Sequence, residues 1–328
     1  MSLRTKKNNI RKGVLIIGTI PETAGIGGVS IHVQRLMQWL EFKNFNYSFC
    51  DYKIVPVIKQ LQRILQYKVV HIHISRPWVK FLYVVFCKLV NVKSILTIHG
   101  NIGRYSYFDN YWEKQSITLC NIPILINSNS YELARKWNKN STLISAFLPP
   151  QKCGDLPAYV KEAISWAKES GKTVIACNAS KRSFTINGDE IYGIDFIIRF
   201  LKDKDDYFLC ISDPSGQYSK HYHDEILKHV LFIKEPHSFY ELLKLCDVML
   251  RPTATDGDSL SVREGLYLHK IVLATDCVDS PDGVILFHYN DCPSLEDALL
   301  KSQSSEVSSV CVGENSIEQL IRVYRYLL

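Results

Sequence analysis

Val14-Leu-Ile-Ile-Gly18-Thr-Ile-Pro21-Glu-Thr-Ala24-Gly-Ile-Gly-Gly28-Val-Ser-Ile-His32-Val33 reads in three steps. Val14–Gly18 is a short continuous apolar run that ends in glycine, the pattern of a strand buried on both faces. Ala24–Gly28 is a glycine-rich loop. Val29, Val33, Leu36, Met37 and Leu40 then recur at helical spacing, so a helix follows. Glycines at such a turn let the backbone approach a ligand closely. The free N–H groups of the helix start carry a partial positive charge suited to a diphosphate. The spacing is not the dinucleotide G-x-G-x-x-G, and the same loop also serves as a plain tight turn.

The alternation continues outward. Val69–Ile74 and Ser94–Ile98 are further buried-strand candidates, with a helix over about 78–90 between them. Ile122–Ile126 is a strand, followed by a helix over about 130–137. Ala146-Phe-Leu-Pro-Pro150 cannot continue a helix or a central strand. It marks a domain boundary: 1–148 and 149–315, with an amphipathic helix at 316–328 that packs back on the first domain. The second half repeats the logic. Strands are expected at 173–177, 207–211, 231–234, 248–250 and 271–274, and helices at 191–201, 239–246 and 261–268. The expected fold class is α/β, two Rossmann-like doubly wound domains facing across a cleft.

Composition narrows the class. The 328 residues are 46% hydrophobic and 22% charged, ordinary for a globular protein and unlike collagen, coiled coil or a disordered chain. No apolar run reaches the ~18 residues of a spanning helix. The N-terminal MSLRTKKNNIRKG lacks a signal-peptide core, so a cytoplasmic location is expected. The ten cysteines include no C-x-x-C and read as small core residues of a reducing compartment. The net charge of +6 hides a split. Residues 1–150 hold 20 Lys/Arg against 6 Asp/Glu, and residues 151–328 hold 19 against 27. The basic half is expected to meet something anionic. Lys59, Arg63, Lys68, Lys80, Lys88 and Lys93 interleave with Trp78, Phe81, Leu82, Tyr83 and Phe86, a mixture suited to anionic lipid headgroups or, equally, to a core with solubilising lysines around it. No nucleic-acid module is recognisable.

A second loop carries chemistry. Arg251-Pro-Thr-Ala-Thr-Asp256-Gly-Asp258-Ser259-Leu260-Ser261-Val-Arg263-Glu264-Gly265-Leu266 follows an apolar strand and opens a helix. N–H groups at Ser259, Leu260 and Ser261 lack intrahelical partners. Asp256 and Glu264 flank them as acceptors for sugar hydroxyls. Read without a ligand, Asp256 or Ser259 is a helix cap and Glu264 a solvated charge. Asp256-Gly-Asp258 is also formally a metal-chelating D-x-D of a different fold, which the two-half organisation disfavours. His71 and His73 share one strand face but lack an evident third metal ligand. His221 and His223 read as surface residues.

This loop resembles the E-x7-E signature of family 4 retaining glycosyltransferases, which have the GT-B fold, with Asp256 in place of the first Glu. Gly27-Gly28-Val-Ser-Ile-His32-Val, Ile95-Leu-Thr-Ile-His99-Gly100, Asn127-Ser-Asn-Ser130 and Ile271-Val-Leu-Ala-Thr275-Asp276 are similar to other family segments in the same order. Together they span nearly the whole chain. The resemblance implies a hexosyltransferase that moves a hexose or N-acetylhexosamine from a nucleotide sugar, a UDP-sugar before others. The acceptor would be a saccharide, lipid-diphosphate-linked, in bacterial capsule, exopolysaccharide or O-antigen synthesis at the inner face of the plasma membrane. No cofactor or metal is implied; the nucleotide sugar is a co-substrate.

By the same resemblance, Gly27 and Gly28 approach the diphosphate and His99 contacts a hydroxyl of the donor sugar. Asp256 binds the transferred sugar, and Ser259, Leu260 and Ser261 bind the diphosphate. Glu264 holds the ribose, and Glu235 and Pro236 lie against the base. One departure concerns the phosphate clamp. Tyr192 stands where the family places Lys before Gly193-Ile-Asp195, which leaves Lys181 or Arg182 to supply the charge. Two other readings stay open: a sugar-nucleotide-binding protein without catalysis, and a GT-B-like nucleotide-sugar epimerase.

Overall fold

The computed structural model describes residues 11–25, 27–224, 227–256, 259–304 and 314–328. They divide into two compact units. One runs up to Ala146 and adds Asn315–Leu328; the other is Phe147–Glu314.

In the first unit the order is β1 (Lys12–Gly18), α1 (Pro21–Ala24), α2 (Gly28–Phe42), β2 (Tyr47–Asp51), α3 (Val57–Ile64), β3 (Tyr67–Ile72), α4 (Pro77–Leu89), β4 (Lys93–Ile98), α5 (Tyr107–Leu119), β5 (Ile122–Leu125), α6 (Ser128–Arg135) and β6 (Thr142–Leu143). The sheet is parallel, in the order β2-β1-β3-β4-β5-β6. The second unit runs α7 (Ala158–Glu169), β7 (Thr173–Asn178), α8 (Ile194–Leu201), β8 (Tyr207–Ser212), α9 (Gln217–His221), β9 (Val230–Ile233), α10 (Phe239–Leu245), β10 (Val248–Arg251), α11 (Leu260–Tyr267), β11 (Ile271–Thr275), β12 (Ile285–Phe287) and α12 (Cys292–Ser304). Its parallel sheet is β12-β11-β10-β7-β8-β9. The final helix, α13 (Glu314–Leu327), belongs to the first unit. There the buried Tyr324 ring lies 5.4 Å from Phe45, and Glu318 pairs with Lys43 at 2.7 Å.

Why the central strands read as unbroken apolar runs is visible in β7. Ile175 and Cys177 pack into one buried cluster with Ile197, Ile211 and Leu250. Val174 and Ala176 point the other way, into a second cluster with Ile164, Cys210 and Met249. Successive side chains face opposite sides, and helices cover both. Cys50, Cys87, Cys120, Cys177, Cys210 and Cys246 are buried, serving as small core residues, whereas Cys153, Cys277 and Cys292 are exposed, against the expectation for them. Cys311 lies outside the described residues.

Each sheet has one point where the strand order reverses, between β1 and β3 in the first and between β7 and β10 in the second. There the flanking connections leave in opposite directions and open a crevice at the carboxyl ends of the strands. Gly18 closes β1 at such an end. A Cβ there would meet Val33 Cγ2 of α2 at 3.1 Å and His73 Cβ at 3.3 Å, so glycine seats α2 close against the strand ends. In the second unit α8 begins at Ile194, later than the periodicity from 191 suggests. Gly193 is left-handed at φ 63°, and a Cβ on it would lie 2.0 Å from the Pro252 carbonyl. Among the described residues no helix is long and apolar enough to cross a membrane.

Candidate functional site

The β7/β10 reversal carries a charged site. Arg251 ends β10, and its Nη1 donates to the Asn178 carbonyl at 2.9 Å and to Asn178 Oδ1 at 3.0 Å, at the end of β7. Its Nε and Nη2 donate to Asp256 Oδ2 at 3.0 and 2.7 Å. One guanidinium therefore ties both strand ends and aims the Asp256 carboxylate, a two-directional use of its planar fork. The Tyr192 ring lies 5.2 Å from the guanidinium carbon, and the Tyr192 hydroxyl and Ser180 Oγ share a hydrogen bond at 2.6 Å. Spacing singled out Asp256 and missed its anchor. The signal was a lone arginine closing the apolar strand Val248-Met-Leu.

Ser259 caps the start of α11 in extended conformation, with its Oγ 3.1 Å from Ser261 Oγ. The amides of Leu260, Ser261 and Val262 open the helix. Gly265 lets α11 lie close on the sheet, since a Cβ there would meet Val272 Cγ2 at 2.7 Å. This contact fixes the direction of the helix start. Glu264 is 4% exposed, so it is a buried group and not the solvated charge a ligand-free reading expects. Asp256, Ser259 and Arg251 line a small recess together with Thr275, Asp279 and Ser280. Asp258 lies outside the described residues.

The other expected residues of this unit sit further off. Lys181 is exposed in the loop after β7. Arg182 is held at 2.7 Å by Asp195, which also accepts from Tyr222 Oη at 3.0 Å. Glu235 and Pro236 are exposed beyond β9, and Glu235 accepts from Tyr159 Oη at 2.5 Å. In the sheet order β9 is three strands from β10, so this pair does not join the recess. His223 is exposed beside Asp224 at 2.9 Å, and His221 lies with it by an open hollow that Arg182 and Lys220 also line.

The β1/β3 reversal of the first unit is lined by histidines. His73 directly follows β3, His99 directly follows β4, and His32 projects from α2. The three ring centroids form a triangle with sides of 5.2, 5.0 and 5.2 Å. His73 Nδ1 lies 2.9 Å from His99 Nε2, and His32 Nδ1 lies 2.7 Å from the Ala146 carbonyl. His71, one layer deeper, is 2.7 Å from both Tyr324 Oη and Thr97 Oγ1. Burial pushes His32 down to about 4 and holds His71, His73 and His99 well below the usual imidazole value, so all four are neutral at pH 7. The missing companions expected of His71 and His73 are thus brought in by α2 and β4. Gly27 precedes α2 with extended φ (−164°), and a Cβ there would touch only Ser30 Oγ at 3.9 Å. Nothing among its described neighbours demands glycine. Gly28 is the first residue of α2.

Lys80 departs from its expected place on the outside. It is 2% exposed and lies between α4 and α5, with its Nζ 2.7 Å from Glu113 Oε1. Lys80 sits on the same helical face as Tyr83, Val84 and Cys87, and so is turned inward with them. Lys59, Arg63, Lys68, Lys88 and Lys93 are exposed.

No protein-family description matches the chain, and no characterised sequence is similar to it. Solved structures are. The Anabaena protein HepE in complex with UDP and glucose aligns with TM-score 0.72 at 11% identity, over 97% of this chain and 100% of that one. The sucrose-phosphate synthase of Thermosynechococcus elongatus aligns at 0.64 and 13%, over 97% and 99%. The UDP-GlcNAc 2-epimerase of Methanocaldococcus jannaschii aligns at 0.60 and 10%, over 95% and 99%. The chain shares their fold, two Rossmann-like α/β units of the GT-B type.

Proposed function

We propose that the chain is a glycosyltransferase that moves a hexose or N-acetylhexosamine from a nucleotide sugar, a UDP-sugar before others, to a saccharide acceptor with retained configuration. The observation that carries this reading is the β7/β10 crevice. A carboxylate aimed by Arg251 and the Ser259 start of α11 line its recess, on a fold shared with a structure that holds UDP and glucose; Glu264, buried further along α11, is assigned with them.

The chemistry follows from charge. As the anomeric C–O bond to the diphosphate breaks, the sugar becomes oxocarbenium-like and negative charge grows on the leaving oxygen. Preorganised donors at that oxygen give the largest help. In this reading the amides of Ser259, Leu260 and Ser261 serve as those donors, and Lys181 of the loop after β7 adds its charge. Arg182 contributes once Asp195 releases it. Asp256 accepts hydroxyl hydrogen bonds from the transferred sugar, and Glu264 takes those of the ribose. The acceptor oxygen bonds to the anomeric carbon on the face the phosphate leaves, and its proton passes to that phosphate. A lipid-linked acceptor is supported by exposed Val57, Ile58, Trp78 and Leu82 beside Lys59, Arg63 and Lys88.

The test is transfer from labelled UDP-sugars to saccharide acceptors. Asp256→Ala and Glu264→Ala are each expected to raise the barrier by about 2–4 kcal/mol, the scale of one lost transition-state contact. Unchanged turnover in both variants would sink the assignment. The likeness to an epimerase favours a second reading, acceptor-free conversion of the sugar nucleotide. Product analysis without acceptor separates the two.

A further inference from the structure

We propose that His32, His73 and His99 form a binding site for one divalent transition-metal ion of the zinc type. The inference is independent of the reading of the second unit.

The first support is a fixed tautomer. A carbonyl oxygen only accepts, so the contact from His32 Nδ1 to the Ala146 oxygen puts the ring proton on Nδ1. The lone pair is left on Nε2. That atom is buried and has no partner among the described residues, in a side chain 3% exposed. An imidazole whose far nitrogen is held by a backbone carbonyl is the usual second-shell arrangement of a metal ligand. A buried polar atom left unpaired is costly, and the rings of two further imidazoles lie 5.2 and 5.0 Å from this one, centroid to centroid.

The second support is geometry. One nitrogen from each ring lies within 4.8 Å of the others. Zinc at about 2.0–2.1 Å from three imidazole nitrogens in tetrahedral geometry sets the ring centroids ~5 Å apart. The observed triangle has sides of 5.0 to 5.2 Å. The 2.9 Å between His73 Nδ1 and His99 Nε2 would open by a few tenths of an ångström, because ligand nitrogens around zinc sit ~3.3 Å apart. His99 keeps part of its surface exposed, which leaves a way in and a fourth position for water.

The third support is an internal contrast. His71, at 4.0 Å from His73 ring to ring, meets a hydroxyl at each nitrogen. The fold satisfies this histidine by itself and leaves Nε2 of His32 open. Arg35 and Arg104 are close enough to act on His32 and His99.

The test uses the full untagged chain after chelator treatment. Cobalt(II) is titrated and followed by its visible ligand-field bands, with zinc competition and a thermal scan in parallel. Expected are one tetrahedral cobalt per chain, its displacement by zinc, and a melting temperature that rises with zinc. The surface variant His221→Ala/His223→Ala should behave as wild type. His32→Asn keeps a donor for Ala146 and removes the lone pair, and should lose at least tenfold in affinity. If that variant does not fold, His99→Ala, at a partly exposed position, reads the same loss. Wild type without cobalt bands, or full binding in a folded His32→Asn or His99→Ala variant, would overturn the proposal.

Discussion

The two order-reversal points of this chain share one topological device and fill it with opposite chemistry. Between β1 and β3 stand neutral, desolvated imidazoles. Between β7 and β10 stands an arginine that bridges both strands and grips a carboxylate. The contrast runs against the overall charge of each half. The basic half puts neutral groups at its strand ends and its lysines on outer faces, where Lys59, Lys68, Lys88 and Lys93 are exposed. The acidic half puts an arginine at the crevice. Net charge over a unit therefore describes exposed helix faces and strand starts, where Lys68 and Lys93 lie, and the chemistry of a strand's carboxyl end has to be read from the few residues that close the strand.

The largest expected effect breaks the contrast where the first unit does bury charge. Lys80 and Glu113 face each other between α4 and α5 with side chains 2% and 1% exposed. Burial lowers the Lys80 ammonium below its ordinary value, with Glu113 opposing that shift. Glu113→Ala strands the ammonium in the core and should cost about 3–5 kcal/mol, read as a shifted urea transition. In the second unit Arg182→Ala removes a pair that is partly open to water and should cost about 1 kcal/mol or less. Equal costs for the two would show that burial does not separate these pairs.

An intermediate effect belongs to Arg251. Arg251→Met keeps an apolar stem beside Tyr192 but unpairs Asp256 from the end of β7. A stability loss of about 1–3 kcal/mol is expected, together with weaker nucleotide-sugar binding by calorimetry. Arg251→Lys should not restore binding, because an ammonium cannot span Asn178 and Asp256 in two directions. Restoration by lysine would reduce the bridge to a simple point charge.

The sequence reveals those parts whose burial follows a simple period. The central strands are apolar without interruption because both faces are covered, and their bounds lie within a residue or two of the expected ones. Helix α5 escaped because its periodicity is inverted. Tyr107, Phe108 and Tyr111 are exposed, while Glu113 and Ser116 are buried. Strand β2 escaped because Tyr47, Ser48 and Phe49 are only half-buried and alternate weakly. Lys80 was legible in principle, since Pro77, Lys80, Val84 and Cys87 lie on one face of α4; charge weighed more than position in its reading. Asp256 and Glu264 are found by local spacing. The partnership of Arg251 with Asn178, 73 residues away, and the convergence of His32, His73 and His99 come from strand order, which no local pattern encodes.

The smallest effect concerns helix starts. The first unit caps with neutral groups: Ser106 Oγ accepts from the Asp109 amide at 3.3 Å, and Asn127 Oδ1 from the Ser130 amide at 2.9 Å. The second unit starts α8 with an ionisable group. Glu190 accepts from the amides of Ile194 and Asp195 at 3.1 and 2.8 Å and from the Tyr218 hydroxyl. Burial raises its carboxyl above the ordinary value, against the opposing pull of these hydrogen bonds. The folded state therefore holds this proton to higher pH than the unfolded chain does. The resulting stability is fully present below the unfolded value of about 4.5 and is lost as pH rises through the raised folded value. Glu190→Gln removes the titration. The stability of wild type relative to this variant should fall as pH rises from ~4 toward neutrality. Urea midpoints of both proteins across that range measure it, and a difference that grows with pH would mean that the hydrogen bonds to the carboxylate outweigh its burial.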